Sequence, residues 1–220
     1  MASIGWFLPA LHVIGFTVNL GSALFWWGLC NIAVCIFMIV YAKRGKLRHR
    51  DRMLGMISWT GDECVLDIGT GRGLLMIGAA KKLTTGKAYG IDIWNAEDLS
   101  DNSVQNALKN AEAEGVKDKV EIRNEDARKM SFADGAFDVV FSNLCLHNIY
   151  DPEGRAQACR EIARVLKPGA TALISDFRHT KDYARMLEQT GLRVSLSLPY
   201  LLDTFPPLRI IKAVKPKGNF

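Results

Sequence analysis

Residues 1–42 contain no Asp, Glu, Lys or Arg. A soluble core helix rarely runs much beyond 20 residues without a charge, so this absence points to a bilayer. No basic stretch precedes the apolar run, which also exceeds the ~7–15-residue apolar region of a secretory signal; both features speak against a cleaved leader. Cysteine is scarce, five in 220 residues with no Cys-x-x-Cys pair, which excludes a disulfide scaffold and fits a reducing compartment. Repeats and low-complexity tracts are missing as well. A chain 49% apolar and 23% charged is not disordered, and its length suits one globular domain with an appendage. The net charge of +5 is confined to residues 41–52, where Lys43, Arg44, Lys46, Arg48, Arg50 and Arg52 face a single acid, Asp51. Bases and acids cancel elsewhere, so the basic balance is not a nucleic-acid-binding face.

What is there divides into three parts: 1–42, an apolar membrane anchor; 43–59, a basic juxtamembrane linker; and 60–220, a globular domain. Residues 22–42 fit one membrane span. Residues 4–20, which carry Pro9, His12 and Asn19, are either a second, short span or an interfacial helix, with a turn at Asn19-Leu20-Gly21-Ser22. The competing reading is a buried helical hairpin of a soluble protein. The basic run stays on the cytoplasmic side, so the globular part faces the cytoplasm from the cell membrane with one span or with two. Near anionic lipid each base adds about 1 kcal/mol of attraction.

From residue 60 onward short apolar runs alternate with helix-length segments. Strands are expected at 64–68, 88–93, 120–123, 137–142 and 170–175. Helices are expected at 74–83, 103–114 (closed by Gly115), 155–166 (stopped by Lys167-Pro168-Gly169) and 183–190. Two strands, 193–198 and 208–214, follow with only the loop 199–207 between them, so the last one returns antiparallel. The fold class is α/β, a doubly wound, mostly parallel seven-stranded sheet with an antiparallel last strand, preceded by one or two apolar membrane helices.

In such sheets ligands bind beyond the carboxyl ends of the strands. The first strand ends in Asp67-Ile68-Gly69-Thr70-Gly71-Arg72-Gly73, where alternate glycines permit a tight turn and close approach of a ligand to the backbone. The second ends in Asp92, beside Ile93 and Trp94; an acid at this spacing can accept from ribose hydroxyls. The third leads to Glu125-Asp126-Ala127 and the fourth to Ser142-Asn143. Each alone has a bland reading, as helix–strand packing or a surface acid. The turn reads Gly-x-Gly-x-Gly rather than the Gly-x-Gly-x-x-Gly of a dinucleotide phosphate nest, which argues against a nicotinamide-dependent reductase.

Taken as a set, these pieces resemble class I S-adenosylmethionine-dependent methyltransferases. The resemblance extends through Arg164-Val165-Leu166-Lys167-Pro168-Gly169, covers about residues 61–214, and is nearest the bacterial subset with Ser142-Asn143-x-x-Leu146-His147-Asn148-Ile149. It implies S-adenosylmethionine as cofactor. Gly69, Gly71 and Gly73 would line its methionine end, with Thr70 in the same binding set and Asp67 ordering the turn or meeting the amino group. Asp92 would hold the ribose hydroxyls, and Ile93 or Trp94 would flank the adenine. Asp126 would accept from the adenine amino group, the Ala127 amide would face the ring nitrogen, and Asn143 would lie near the methionine part and the substrate entrance.

A general base is needed only where the acceptor must lose a proton. His147 is the candidate catalytic residue, since it follows the fourth strand; its bland reading is packing or capping before Asp151-Pro152. His179, after Asp176-Phe177, is a second choice. Cys145 and Cys159 make no metal constellation, and no metal is expected. An anchor beside a methyl-donor site makes a lipophilic small molecule or lipid the expected acceptor: a quinone precursor, a lipid headgroup or a hydrophobic metabolite. Other readings are a non-catalytic cofactor-binding membrane sensor or subunit, and an anchor that recruits a membrane partner through Gly15, Gly21, Ser22 and Gly28.

Overall fold

The computed structural model describes residues 10–13, 16–95 and 103–217. The chain forms two units, Met1–Lys46 and Leu47–Phe220.

In the first unit, β1 (Ala10–Val13) pairs antiparallel with β2 (Phe16–Asn19), Val13 opposite Phe16. Over its described residues this corrects the expectation of a second, short span or interfacial helix at 4–20, because Phe16, Thr17 and Val18 favour extended backbone. Residues 4–9 of that expected segment, and Gly15, lie outside the described residues. No turn separates Asn19 from Ser22, because α1 (Leu20–Val40) begins at once. Its 21 residues rise about 31 Å at 1.5 Å per residue, close to a bilayer core. Large apolar side chains stand exposed on every side of it, Trp26, Trp27, Ile32 and Phe37 among them. By length and composition alone, this is a helix able to cross a membrane. A π-helical turn, Tyr41–Gly45, follows it.

The second unit opens with α2 (Lys46–Gly55), in the stretch expected to be a linker. The linker reading fails because the basic residues hide an apolar stripe: His49, Met53 and Leu54 are buried at helical spacing. Then come β3 (Cys64–Ile68), α3 (Leu74–Ala80), β4 (Lys87–Asp92), α4 (Val104–Ala113), β5 (Val120–Asn124), β6 (Phe137–Asn143), α5 (Pro152–Val165), β7 (Leu166–Asp176), α6 (Thr180–Gln189), β8 (Arg193–Leu196) and β9 (Arg209–Val214). Ser103 caps α4 by accepting from the Asn106 amide, and Gly115 leaves that helix at φ +70°. α5 starts three residues earlier than expected because Asp151 caps it and Pro152 suits its first turn. Lys167-Pro168-Gly169 does not separate helix from strand but lies within β7.

The sheet order is β5-β4-β3-β6-β7-β9-β8, parallel except where β9 pairs antiparallel with both β7 and β8. Alternate side chains divide the core between its two faces. Val65, Val139, Phe141, Leu173 and Ile210 pack with α2, α3 and α4, while Leu66, Val140, Ala172, Ile174 and Ile211 pack with α5 and α6. The chain runs outward from β3 to β5, then returns to the other side of β3 as β6. That reversal opens the crevice in which doubly wound sheets bind ligands.

Candidate active site

On one side of the crevice the backbone carries the geometry. Gly69, Gly71 and Gly73 have φ of +69°, +53° and +87°, a conformation side-chain-bearing residues avoid. Gly69 is also crowded: a Cβ there would sit 2.3 Å from Cys145 Sγ. The turn is tied to β4, with the Gly69 and Thr70 amides donating to the Ile91 carbonyl at 2.9 and 3.0 Å. Two acids hold it. The Asp92 carboxylate accepts from the Gly71 amide at 2.9 Å and from the Trp94 amide at 2.8 Å. Asp67, 2% exposed, accepts from the Thr70 hydroxyl and the Met76 amide, both at 3.0 Å. Burial pushes the Asp67 carboxyl up to about 7, against those two hydrogen bonds and with nearby Asp92 adding to the rise.

This arrangement bears on which ligand fits. A helix N-terminus normally attracts phosphate, but here the acid Asp67 already takes the Met76 amide in the first turn of α3. A pyrophosphate loses that donor to Asp67 and would meet the Asp92 carboxyl beside the turn, whereas a cation is not opposed there. A glycine cradle lined by acids therefore fits a sulfonium cofactor better than a dinucleotide.

Farther along the rim, Trp94 is half-buried at φ +56°, and its indole Nε1 is buried with no hydrogen-bond partner among the described residues. Ile93 beside it is exposed. Ala127 is buried, and the Asp126 carboxylate is gripped by Arg128 through its guanidinium and its amide at 2.6–3.0 Å, which holds that carboxyl below its usual range. At the end of β6 the Asn143 Oδ1 and Ser142 Oγ are buried without hydrogen-bond partners among the described residues. In a protein interior such polar atoms are rare and mark a place for water or ligand.

The opposite side is made of side chains. His147 lies on a 3-10 turn after β6, and its Nδ1 is 3.0 and 3.1 Å from the two oxygens of Asp176, the fully buried last residue of β7. The Phe177 ring packs edge-on against the imidazole at 4.9 Å. An Nδ1–H donated to a carboxylate leaves Nε2 with the lone pair, the tautomer a base requires. His147 does not cap the following helix; Asp151 does that with its own side chain. Asp176 as its partner was not anticipated, although an acid ending the fifth strand of the domain was the available signal. His179 stands at φ +55° before α6, its Nδ1 3.7 Å from Asp182. Cys159 is buried and Cys145 half-buried, and desolvation pushes both thiols up, Cys159 to about 12.

Behind this side, α2 docks through a second polar group. His49, 2% exposed, meets the Ser175 hydroxyl at 2.7 Å through Nε2 and Arg52 at 3.1 Å through Nδ1. Arg52 in turn pairs with Asp203 and lies 4.0 Å over the Tyr200 ring. Burial, then the Arg52 charge, press the His49 imidazole down to about 4, opposed by Asp203.

The chain is similar to proteins of known sequence and structure. The family described as "Methyltransferase domain" matches residues 60–199. A 27-O-demethylrifamycin SV methyltransferase of Amycolatopsis mediterranei is 32% identical over 133 residues, 59% of this chain and 44% of that protein. The chloroplastic 2-phytyl-1,4-beta-naphthoquinone methyltransferase of Arabidopsis thaliana is 34% identical over 139 residues, 61% of this chain and 51% of that one. The chain thus spans about half the length of these curated relatives. Among solved structures, a SAM-dependent methyltransferase from Aquifex aeolicus superposes with a TM-score of 0.60 at 22% identity, covering 75% of this chain and 88% of its own. The [4+2]-cyclase SpnF gives 0.64 at 19%, covering 78% and 81%, so the likeness in shape speaks to fold alone. On the strength of the matched domain, the chain belongs to the methyltransferase-domain family, whose methyl donor is S-adenosylmethionine.

Proposed function

We propose that the protein is a membrane-anchored enzyme that moves a methyl group from S-adenosylmethionine to a lipophilic small molecule, with its catalytic domain on the cytoplasmic side of the cell membrane. The observation that carries the methyl-transfer reading is the Asp92 carboxylate, which joins the left-handed glycine turn to the Trp94 amide at the switch point of the sheet. Gly69, Thr70, Gly71 and Gly73 take the methionine end, Asp67 facing its positive charge. Asp92 accepts from the ribose hydroxyls, Ile93 and Trp94 flank the adenine, Asp126 and the Ala127 amide meet its edge, and Asn143 closes the methionine side. The bound cofactor supplies an electrophilic methyl group on a positively charged sulfur.

His147 Nε2 takes the proton that the acceptor loses as it attacks, and Asp176 is the positioning residue that fixes the imidazole tautomer. The remaining contribution of the protein is holding the two reactants in line, an effect that can supply about 7–11 kcal/mol.

The anchor reading rests on the 21 uncharged, mostly apolar residues of α1 and the six bases that follow, which favour a cytoplasmic domain. The lipophilic acceptor draws support from a relative whose named substrate is a phytyl naphthoquinone. Full-length protein in detergent, incubated with methyl-labelled cofactor and a membrane lipid extract, should label an organic-soluble product. Labelling confined to water-soluble acceptors would reject the lipophilic reading and leave the transfer reaction standing.

A further inference from the structure

An apolar tip projects from the acceptor side. Leu198, Leu201 and Leu202 are 82%, 65% and 95% exposed, three bare leucines within five residues. Single exposed leucines are ordinary on any surface, but a cluster at one turn marks a contact. The tip is not slack chain. The Tyr200 amide donates to the Leu208 carbonyl at 2.8 Å, and the Leu208 amide donates to the buried Thr204 hydroxyl at 2.9 Å. Below it, the Tyr200 ring lies under Arg52 and edge-on to His49, and Asp203 pairs with Arg52. The loop base is fixed to α2 while the leucines are held outward.

We propose that the tip at 198–202 inserts into the surface of the membrane that α1 spans, so that the acceptor mouth opens at the bilayer. The inference rests on the anchor reading above and adds a second point of attachment. Three features select lipid as the occupant. Arg48 and Arg52 lie on the helix to which the loop is fixed, and Asp203, the one acid in 198–208, is already paired with Arg52, while Arg50 turns away to Asp51 and Gly78; an apolar tip beside a basic helix is the pattern of an anionic lipid surface. Five residues of chain separate Lys46, the last of the first unit, from Arg52, and those six Cα-to-Cα steps reach at most about 22 Å. Three leucine side chains also fall short of the ~800 Å² per partner of a stable dimer. The contacts continue inward: His49 bonds Ser175, whose neighbour Asp176 holds His147.

Site-specific photo-crosslinking tests this on the full chain in vesicles of phosphatidylethanolamine and phosphatidylglycerol. A benzophenone side chain is placed in turn at Leu202, at Phe37 of α1 and at Glu188, exposed on α6. Phospholipid adducts are expected at 202 and 37 and not at 188. Adducts at 37 without adducts at 202 overturn the tip and leave the anchor intact. No adduct at either position removes the anchor reading and the tip with it. A crosslink from 202 to a second copy of the chain also overturns the proposal. With the probe at Leu198, the double substitution Leu201→Ser, Leu202→Ser should lose most of the lipid adduct; unchanged yield would contradict insertion.

Discussion

The two sides of the crevice are built differently. The cofactor side is backbone: three left-handed glycines and a set of amides, held by Asp67 and Asp92 over sequence separations of 2 to 21 residues. The acceptor side is side chains brought together from far apart, 29 residues for His147 and Asp176, 126 for His49 and Ser175, and 151 for Arg52 and Asp203. Backbone geometry recognises what every member of a family shares, whereas side-chain pairs can change without disturbing it. Damage on one side should therefore leave the function of the other in place.

The largest effect is expected from His147→Ala, a loss of roughly 10²–10⁴-fold in methyl transfer with cofactor affinity retained, because general-base catalysis contributes that much. Asp176→Asn should shift the pH profile of transfer while the cofactor still binds. If both variants lose cofactor affinity in proportion to rate, the division between the sides is wrong. Next is Gly69→Ala, which combines a disfavoured φ with a Cβ against Cys145 Sγ and should cost about 2–4 kcal/mol of stability, read by denaturant unfolding. Adding Cys145→Gly should recover the part due to the clash and not the part due to φ.

A smaller effect concerns pH. His49 is neutral in the fold, with its imidazole lowered from 6.5 to about 4, whereas the unfolded chain takes up a proton near 6.5. Its contribution is present above 6.5 and is lost as pH falls towards 4, about 3 kcal/mol in all at 1.36 kcal/mol per pKa unit. The raised Asp67 carboxyl acts with opposite sign between 3.8 and about 7 but is common to wild type and His49→Gln, so the difference between the two isolates the histidine. Amide exchange along α2 reads it; a variant as acid-sensitive as wild type would dismiss the assignment. The smallest is Arg52→Ala, about 1 kcal/mol for a largely buried pair, seen as faster exchange of the Tyr200 and Leu208 amides.

The same contrast explains what could be read from the chain alone. Strands β3, β4 and β6 are short apolar runs ending in turn residues, and glycine and acid spacing expose the cofactor turn because its bonds are local. The docking of α2 was hidden by its charge: only His49, Met53 and Leu54 face inward, too few among Lys and Arg to outweigh a linker reading. The hairpin of β1 and β2 was hidden by uniform apolarity, in which a period of two and a period of 3.6 look alike. The partner of His147 needed the parallel pairing of β6 with β7, Asn143 opposite Ser175, before Asp176 could be seen beside it.

Calorimetric titration of the full-length protein with S-adenosylmethionine and with NADH, repeated on Asp92→Ala, tests the central claim most directly. The account predicts binding of the sulfonium ligand alone, weakened at least about 10-fold by the loss of charge-assisted hydrogen bonds worth ~1.5–3 kcal/mol each. Binding of NADH in its place, or S-adenosylmethionine affinity untouched by the substitution, would contradict it.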